Sequence, residues 1–481
     1  MEIKCKNCGS THYMKNIIFT LIILLNLTLS AQVLQGYWQG QLKNELQKID
    51  LQFAFSYDSS RNSYIAYLTI PQQMVIRLKI NKISLSDDSI KINISNFAAK
   101  YHGKIIDNDN IIGNWYQSGM SLPLLLHKIS ETDTFSFNRP QNPSPPFLYI
   151  SKDIEFYNKK DKIKLAGTIT MPDSNSKHPA VVLISGSGPQ DRDESLALHK
   201  PFALIADRLT KAGIVVLRYD DRGVAKSEGN FSIATTFDFA NDARAAINWL
   251  KNQPFVDKNN IGLIGHSEGG IIAFYLASNE KNLKFAIALA GVTIPCDQLL
   301  ALQIKKMMEL YDMPTQITEA YYNFNLQALQ IIKTETNDKW KNILDSLFNE
   351  NFNNIDSSLL SKYNIDKSLI NQLIFSYNNP WIKTFINIDP SDYLKNLKCN
   401  TLALFGSKDV QVPAVENEEM FKQIAVCKKK NCVVESMTFE GLNHLFQHAN
   451  TGSTEEYALI EETLSEDVIE TIINWIQKNK N

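Results

Sequence analysis

From Gly36 to about Ile129, apolar and polar residues alternate with period two in short runs. In SIKINIS (89–95), for example, Ile90, Ile92 and Ile94 share one face, the pattern of a strand buried on one side. Turn-forming clusters, SDDS at 86–89 and DNDN at 107–110, punctuate the runs. The pattern predicts an all-β antiparallel N-terminal domain, a sheet or small barrel, over residues 32–135. NRPQNPSPPF (138–147) then places four prolines in ten residues, which favours an extended, semi-rigid linker over 136–150.

After the linker the period changes. An opening hairpin (KDIEFYN, KIKLAGTITM) is followed by continuous apolar runs: AVVLIS (180–185), GIVVLRYD (213–220), NIGLIG (260–265), FAIALAG (285–291), NTLALFG (400–406) and CVVESMTF (432–439). Strands covered on both faces read this way. Helical stretches at 201–212, 237–252 and 268–279 lie between several of them, so residues 151–481 are expected to form an α/β domain with a mostly parallel, doubly covered sheet. EEYALIEETLSEDVIETIINWIQKN (455–479) is expected to close it as a covering helix. Residues 292–395 show helical periodicity without a buried strand, as in LLALQIKKMMELY, and predict a helical cap that restricts access and excludes water.

Length and composition add bounds. A chain of 481 residues exceeds one hydrophobic core. With 44% apolar residues, 21% charged residues and a net charge of -2, it reads as folded and carries no basic excess for nucleic acid. MKNIIFTLIILLNLTLSAQ (14–32) has the layout of a secretory signal peptide. Residues 1–31 are therefore expected to be a leader, with the signal at 14–31, and the mature protein to be exported to the periplasm or the exterior. Upstream, Cys5, Cys8 and His12 have a zinc-like spacing but supply three ligands where a structural site wants four. No metal site is assigned. Cys427 and Cys432 flank KKKN and are either a short disulfide or two reduced thiols.

The candidate chemistry centres on LIGHSEGGII (263–272). G-x-S-x-G acquires a mechanism when a buried strand precedes it and a helix follows, and both are expected here, which makes Ser267 the candidate nucleophile. A serine hydroxyl needs a base. In the chain order Ser, Asp/Glu, His, that base is His444, in the loop after the last strand, with His448 better suited to packing or substrate contact. Asp409, in the loop after NTLALFG, is placed to orient the imidazole, whereas Asp389 and Asp392 precede that strand. The backbone N–H groups of Glu268 and Ser187 are the candidate oxyanion donors. Asp191, Arg192, Asp221 and Arg222 are expected to brace the surrounding loops by ion pairs rather than to bind a metal.

GSGPQDRDE, RYDDRGVAKS, GHSEGG, NPWIKTFINIDPSDYL, LFGSKDVQVP and GLNHLFQ, in that order over about residues 150–480, resemble the α/β-hydrolase superfamily. The likeness is to its two-domain bacterial serine esterases related to dienelactone hydrolases and the X-prolyl dipeptidyl peptidase group. It implies the α/β-hydrolase fold, a cap and a Ser267–Asp409–His444 triad. A serine stands where dienelactone hydrolases use cysteine, which argues against their substrate. The resulting expectation is an exported carboxylic-ester hydrolase acting through an acyl-enzyme on a small ester, without metal or organic cofactor. A serine peptidase of the prolyl-oligopeptidase-like kind is the alternative. A third reading is a binding module with a vestigial hydrolase domain, its β domain a candidate for glycan or lipid contact.

Overall fold

The computed structural model describes residues 34–43, 48–80, 82–335 and 337–479. The expected leader, with Cys5, Cys8 and His12, lies outside them. The chain divides into two compact units between Phe137 and Asn138.

The first unit is a nine-stranded antiparallel meander: β1 (Gly36–Lys43), β2 (Lys48–Asp58), β3 (Ser63–Ile70), β4 (Val75–Ile80), β5 (Ile83–Ser86), β6 (Ser89–Ile94), β7 (Ala99–Ile105), β8 (Asn110–Gln117) and β9 (Met120–Ile129), ordered β4-β3-β2-β1-β9-β8-β7-β6-β5. The period-two pattern does what it predicts: Ile90, Ile92 and Ile94 are buried while Lys91 and Asn93 face solvent. Trp38, Phe53 and Tyr101 fill the interior, so it is a packed core.

The second unit carries an eight-stranded sheet of β10 (Ile150–Asn158), β11 (Ile163–Met171), β12 (His178–Ile184), β13 (Val215–Tyr219), β14 (Val256–His266), β15 (Phe285–Leu289), β16 (Asn400–Gly406) and β17 (Val434–Phe439), ordered β10-β11-β13-β12-β14-β15-β16-β17. β10 and β11 are antiparallel and β12 to β17 pair in parallel. The continuous apolar runs are explained by two cores, except at β17. That edge strand has no buried residue, so the reading of 432–439 as covered on both faces does not hold. Along β12, Ala180, Val182 and Ile184 enter one apolar cluster and Val181 and Leu183 the other, and β16 splits likewise into Ala403 and Phe405 against Leu402 and Leu404. Successive side chains point to opposite faces, and both faces are covered. The covering helices are α1 (Pro201–Lys211), α2 (Thr236–Lys251) and α3 (Glu268–Asn279).

Between β15 and β16 the cap consists of α4 (Cys296–Leu310), α5 (Thr315–Thr334), α6 (Asn337–Phe352), α7 (Ser357–Lys362), α8 (Ser368–Ser376), α9 (Pro380–Phe385) and α10 (Ser391–Leu394). It has an apolar core of its own that includes Phe324, Phe348 and Phe352. α11 (Ala414–Ile424) and α12 (Glu466–Asn479) complete the unit. The expected helix over 455–479 is thus helical mainly in its second half. Before it, the Thr463 amide donates to Gln141 and the Tyr457 carbonyl accepts from His199, long-range bonds that a continuous helix would forfeit.

The proline-rich segment is not a free spacer. Arg139 donates to the carbonyl oxygens of Ala197, Ala458 and Ile460 within the second unit. Cys427 and Cys432 are joined as a disulfide.

Candidate active site

Ser267 stands between β14 and α3 with φ 53° and ψ −115°, a backbone conformation that costs an L-residue about 1–3 kcal/mol. Close approach of strand and helix imposes it. A methyl group on Gly265 would lie 1.9 Å from the Gly269 carbonyl oxygen, and one on Gly269 would lie 2.2 Å from that of Ile184. Ser267 is therefore lifted on a sharp turn, partly exposed, and its Oγ makes no hydrogen bond among the described residues.

Asp409 and His444 meet. In the loop after β16, Asp409 Oδ1 accepts the amides of Gln411 and Val412, each at 2.8 Å, while Oδ2 lies 2.7 Å from His444 Nδ1. Both side chains are buried. The carboxylate holds the proton on Nδ1 and leaves the Nε2 lone pair free.

The loop carrying His444 is tied to the residue before Ser267. His266 Nε2 donates to the His444 carbonyl oxygen at 3.0 Å, and the two rings lie 4.7 Å apart between centroids. His266 Nδ1 faces Glu194 Oε1 at 2.9 Å, and the same oxygen accepts the Gly186 amide at 2.7 Å. Burial lowers the His266 pKa, but the charge and hydrogen bond of Glu194 and the His444 carbonyl outweigh it and hold the imidazolium above its ordinary range. Glu194 and His266 thus connect three segments: the loop after β12, the turn at Ser267 and the loop after β17. Neither residue stood out in the sequence.

On the oxyanion side, Glu268 is the first residue of α3, where an amide has no intrahelical acceptor. Gly186 packs against the nucleophile turn: a methyl group there would reach to 3.2 Å from Ser267 Cβ. Ser187 follows it in the loop braced by Asp221, whose carboxylate accepts from Ser185 Oγ at 2.7 Å and from the Gln190 amide at 3.1 Å. Burial pushes the Asp221 carboxyl up to about 8. The Glu268 carboxylate is also engaged, accepting Thr236 Oγ1 at 2.6 Å and the indole Nε1 of cap residue Trp381 at 2.8 Å. Burial raises its pKa against those two bonds.

The expected bracing residues divide. Arg192 grips Asp220 through Nε at 2.9 Å and Nη2 at 2.7 Å and also reaches Asp153, joining the loop after β12 to that after β13. Asp191 closes a local turn by accepting the amides of Asp193 and Ser195. Arg222 faces elsewhere, pairing with Asp242 on α2 and with Asp161 in the β10–β11 turn, each at 2.7 Å. It lies in the turn three residues after β13, where its guanidinium is held by Asp242, Asp161 and the Asp238 carbonyl, and it does not hold the loop bearing Ser187. His448 is exposed and pairs with Glu462 at 2.9 Å.

A cavity of about 280 Å³ is lined by Ser187 and Gly188, by Phe231, Ser232 and Ala234, and by the cap residues Asn379 and Trp381. A larger groove of about 680 Å³ runs between the β10–β11 turn and α2. It is lined by none of the residues assigned above.

A parallel sheet with an antiparallel edge, a strained serine between strand and helix, and an Asp–His pair on the following strand loops define a serine hydrolase of the α/β-hydrolase fold. The family model described as X-Pro dipeptidyl-peptidase (S15 family) matches residues 161–448. That match spans more than half of the chain, which belongs to this family. The chain is similar to esterase EstD of Thermotoga maritima, with 25% identity over 328 residues that cover 68% of this chain and 69% of that one. Dipeptidyl-peptidase 5 of Porphyromonas gingivalis is 27% identical over 125 residues, which are 25% of this chain and 18% of that protein. A solved structure of a Pyrococcus furiosus esterase aligns with a TM-score of 0.42 and 19% identity, covering 72% of this chain and 98% of that one.

Proposed function

We propose that the protein is an exported carboxylic-ester hydrolase that works through an acyl-enzyme on Ser267. Ser267 Oγ attacks the ester carbonyl as His444 Nε2 takes its proton, and Asp409 stabilises the imidazolium. The amides of Glu268 and Ser187 hold the developing oxyanion. The ester C–O bond breaks, the alcohol leaves with the proton from His444, and a water molecule activated by the same imidazole releases the acid. The observation that carries this reading is the 2.7 Å contact of His444 Nδ1 with Asp409, in a loop anchored to the residue beside Ser267.

Ester is favoured over peptide by the cavity lining, which carries no carboxylate to hold a substrate amine. Glu194, Asp221 and Glu268 already accept hydrogen bonds from the protein. The name of the Thermotoga maritima relative agrees with an ester substrate. The family description favours the peptidase as second reading. Export is supported by the Cys427–Cys432 disulfide, a bond that persists in oxidising compartments. For the N-terminal unit we propose glycan or lipid contact, for which the groove lined by Lys91 and Lys100 offers ammonium groups.

The mature protein is expected to hydrolyse short-chain p-nitrophenyl esters at least tenfold better than aminoacyl-prolyl fluorogenic amides. The reverse preference would establish the peptidase reading.

A further inference from the structure

The segment NPWIKTF (379–385) enters the site from the cap, and its sequence explains its geometry. Asn379 caps α9 by accepting the Trp381 amide at 2.8 Å, and Pro380 occupies the first turn, where its fixed φ suits the helix and its missing N–H costs nothing. Trp381 then stacks on Phe385 with ring centroids 4.8 Å apart, and Phe385 is buried in the apolar core under the cap. The remaining freedom of the indole is removed by its Nε1 donation to Glu268 Oε1 at 2.8 Å. A second donor, Thr236 Oγ1 at 2.6 Å, fixes that carboxylate from α2.

Glu268 therefore has two connections. Its amide is the assigned oxyanion donor, and its side chain suspends an aromatic wall from the cap. Trp381 lines the 280 Å³ cavity together with Ser187 and Gly188. Ser187, the other assigned oxyanion donor, lines the same space, and its neighbour Gly186 packs against Ser267, so the cavity adjoins the nucleophile turn. The volume lies at the lower end of ligand pockets, which run from about 300 to 1,000 Å³, and no charged side chain lines it.

Resting on the assignment of Ser267 as nucleophile, we propose that Trp381, held in place by the Glu268 carboxylate, is the specificity-determining wall of an acyl pocket for short, uncharged acyl groups. Glu268 acts here through its side chain as a positioning residue. Trp381 itself touches the substrate.

The test compares acetate, butyrate and octanoate p-nitrophenyl esters, and fluorophosphonates with short and long alkyl chains, on wild type, Trp381→Ala, Trp381→Phe and Glu268→Gln. Wild type is expected to prefer butyrate to octanoate. Trp381→Ala is expected to raise the octanoate-to-butyrate ratio of kcat/KM by about tenfold or more, the discrimination that steric pocket contacts typically supply. Trp381→Phe keeps most of the bulk and loses the N–H, so KM for butyrate should rise more than kcat falls. Glu268→Gln retains an acceptor for the indole and should keep the wild-type chain-length ratio. If alanine at 381 unfolds the protein, Trp381→Leu makes the same comparison, with folding checked by thermal melt. The fluorophosphonate pair reports size selection at Ser267 even if no ester is turned over. Labelling of wild type with an unchanged long-to-short ratio in the Trp381 variants would overturn the wall alone. Absence of labelling in wild type would overturn the nucleophile assignment beneath it.

Discussion

His266 Nε2 donates to the carbonyl oxygen of His444 at 3.0 Å, so the residue before the nucleophile holds the backbone of the candidate base. The bond links positions 178 residues apart. On its other nitrogen the same ring faces Glu194, which also takes the Gly186 amide.

Replacing His266 with alanine is therefore expected to do two things. It lets the His444 loop shift, and a misplacement of ~1 Å costs about 100-fold in turnover. It also strands the buried Glu194 carboxylate, at about 3 kcal/mol of stability. Adding Glu194→Gln to His266→Ala should recover part of the stability, read by denaturant titration, without recovering kcat. Full recovery of kcat would show that His266 acts on stability alone.

The raised His266 pKa fixes a pH dependence. A proton bound more tightly in the folded than in the unfolded protein stabilises the fold fully below the ordinary histidine value, and that contribution is lost as pH rises through the raised folded value. Groups facing the ring are Glu194 and the His444 carbonyl, with Asp409 adding its charge. The stability advantage of wild type over His266→Gln should shrink from pH 6 towards pH 9 in thermal melts. A gap that widened over that range would contradict the charged, paired imidazole.

Ser187 is assigned a backbone role. Ser187→Ala should leave kcat/KM within about twofold, whereas Ser187→Pro, which lacks the N–H, should lower kcat by about 100-fold or more. Loss of activity in the alanine variant would move the role to the hydroxyl.

The disulfide closes a loop with a sequence separation of 5, for which chain entropy gives about 2 kcal/mol. A Cys427→Ser, Cys432→Ser double variant should lose stability of that order while keeping the kcat of wild type. Alkylation before and after reduction, followed by intact mass, should show two thiols released on reduction. Cys296 and Cys399 are free and buried, so denatured, unreduced exported protein should already show two alkylated thiols, and four before reduction would contradict the bond.

Ser267 and Asp409 were legible in the sequence because each follows a buried apolar run, and His444 because it follows the last strand, β17, although that edge strand is only partly buried. The doubly covered sheet was legible for the same reason, its apolar runs filling two cores at once. Glu194, His266 and Trp381 were not, since their partners lie 72, 178 and 113 residues away. Those contacts exist only after β12 has paired with β14 and the cap has folded over α3. Arg222 adjoins Asp221 in the sequence, yet its partners Asp242 and Asp161 lie on α2 and in the β10–β11 turn, 20 and 61 residues away, which spacing alone does not show. The carboxylate of Glu268 was overlooked for a related reason: its backbone position was readable from the motif, but its hydrogen-bond donors come from α2 and the cap.

Ser267 is assigned as a nucleophile activated by His444. The most direct measurement is intact-protein mass after exposure to a fluorophosphonate, on wild type, Ser267→Ala and His444→Ala. Wild type is predicted to gain one phosphonyl group, mapped to Ser267, with Ser267→Ala unmodified and His444→Ala labelled at least 100-fold more slowly. Equal labelling of wild type and Ser267→Ala, or no labelling of a folded wild type, would contradict it.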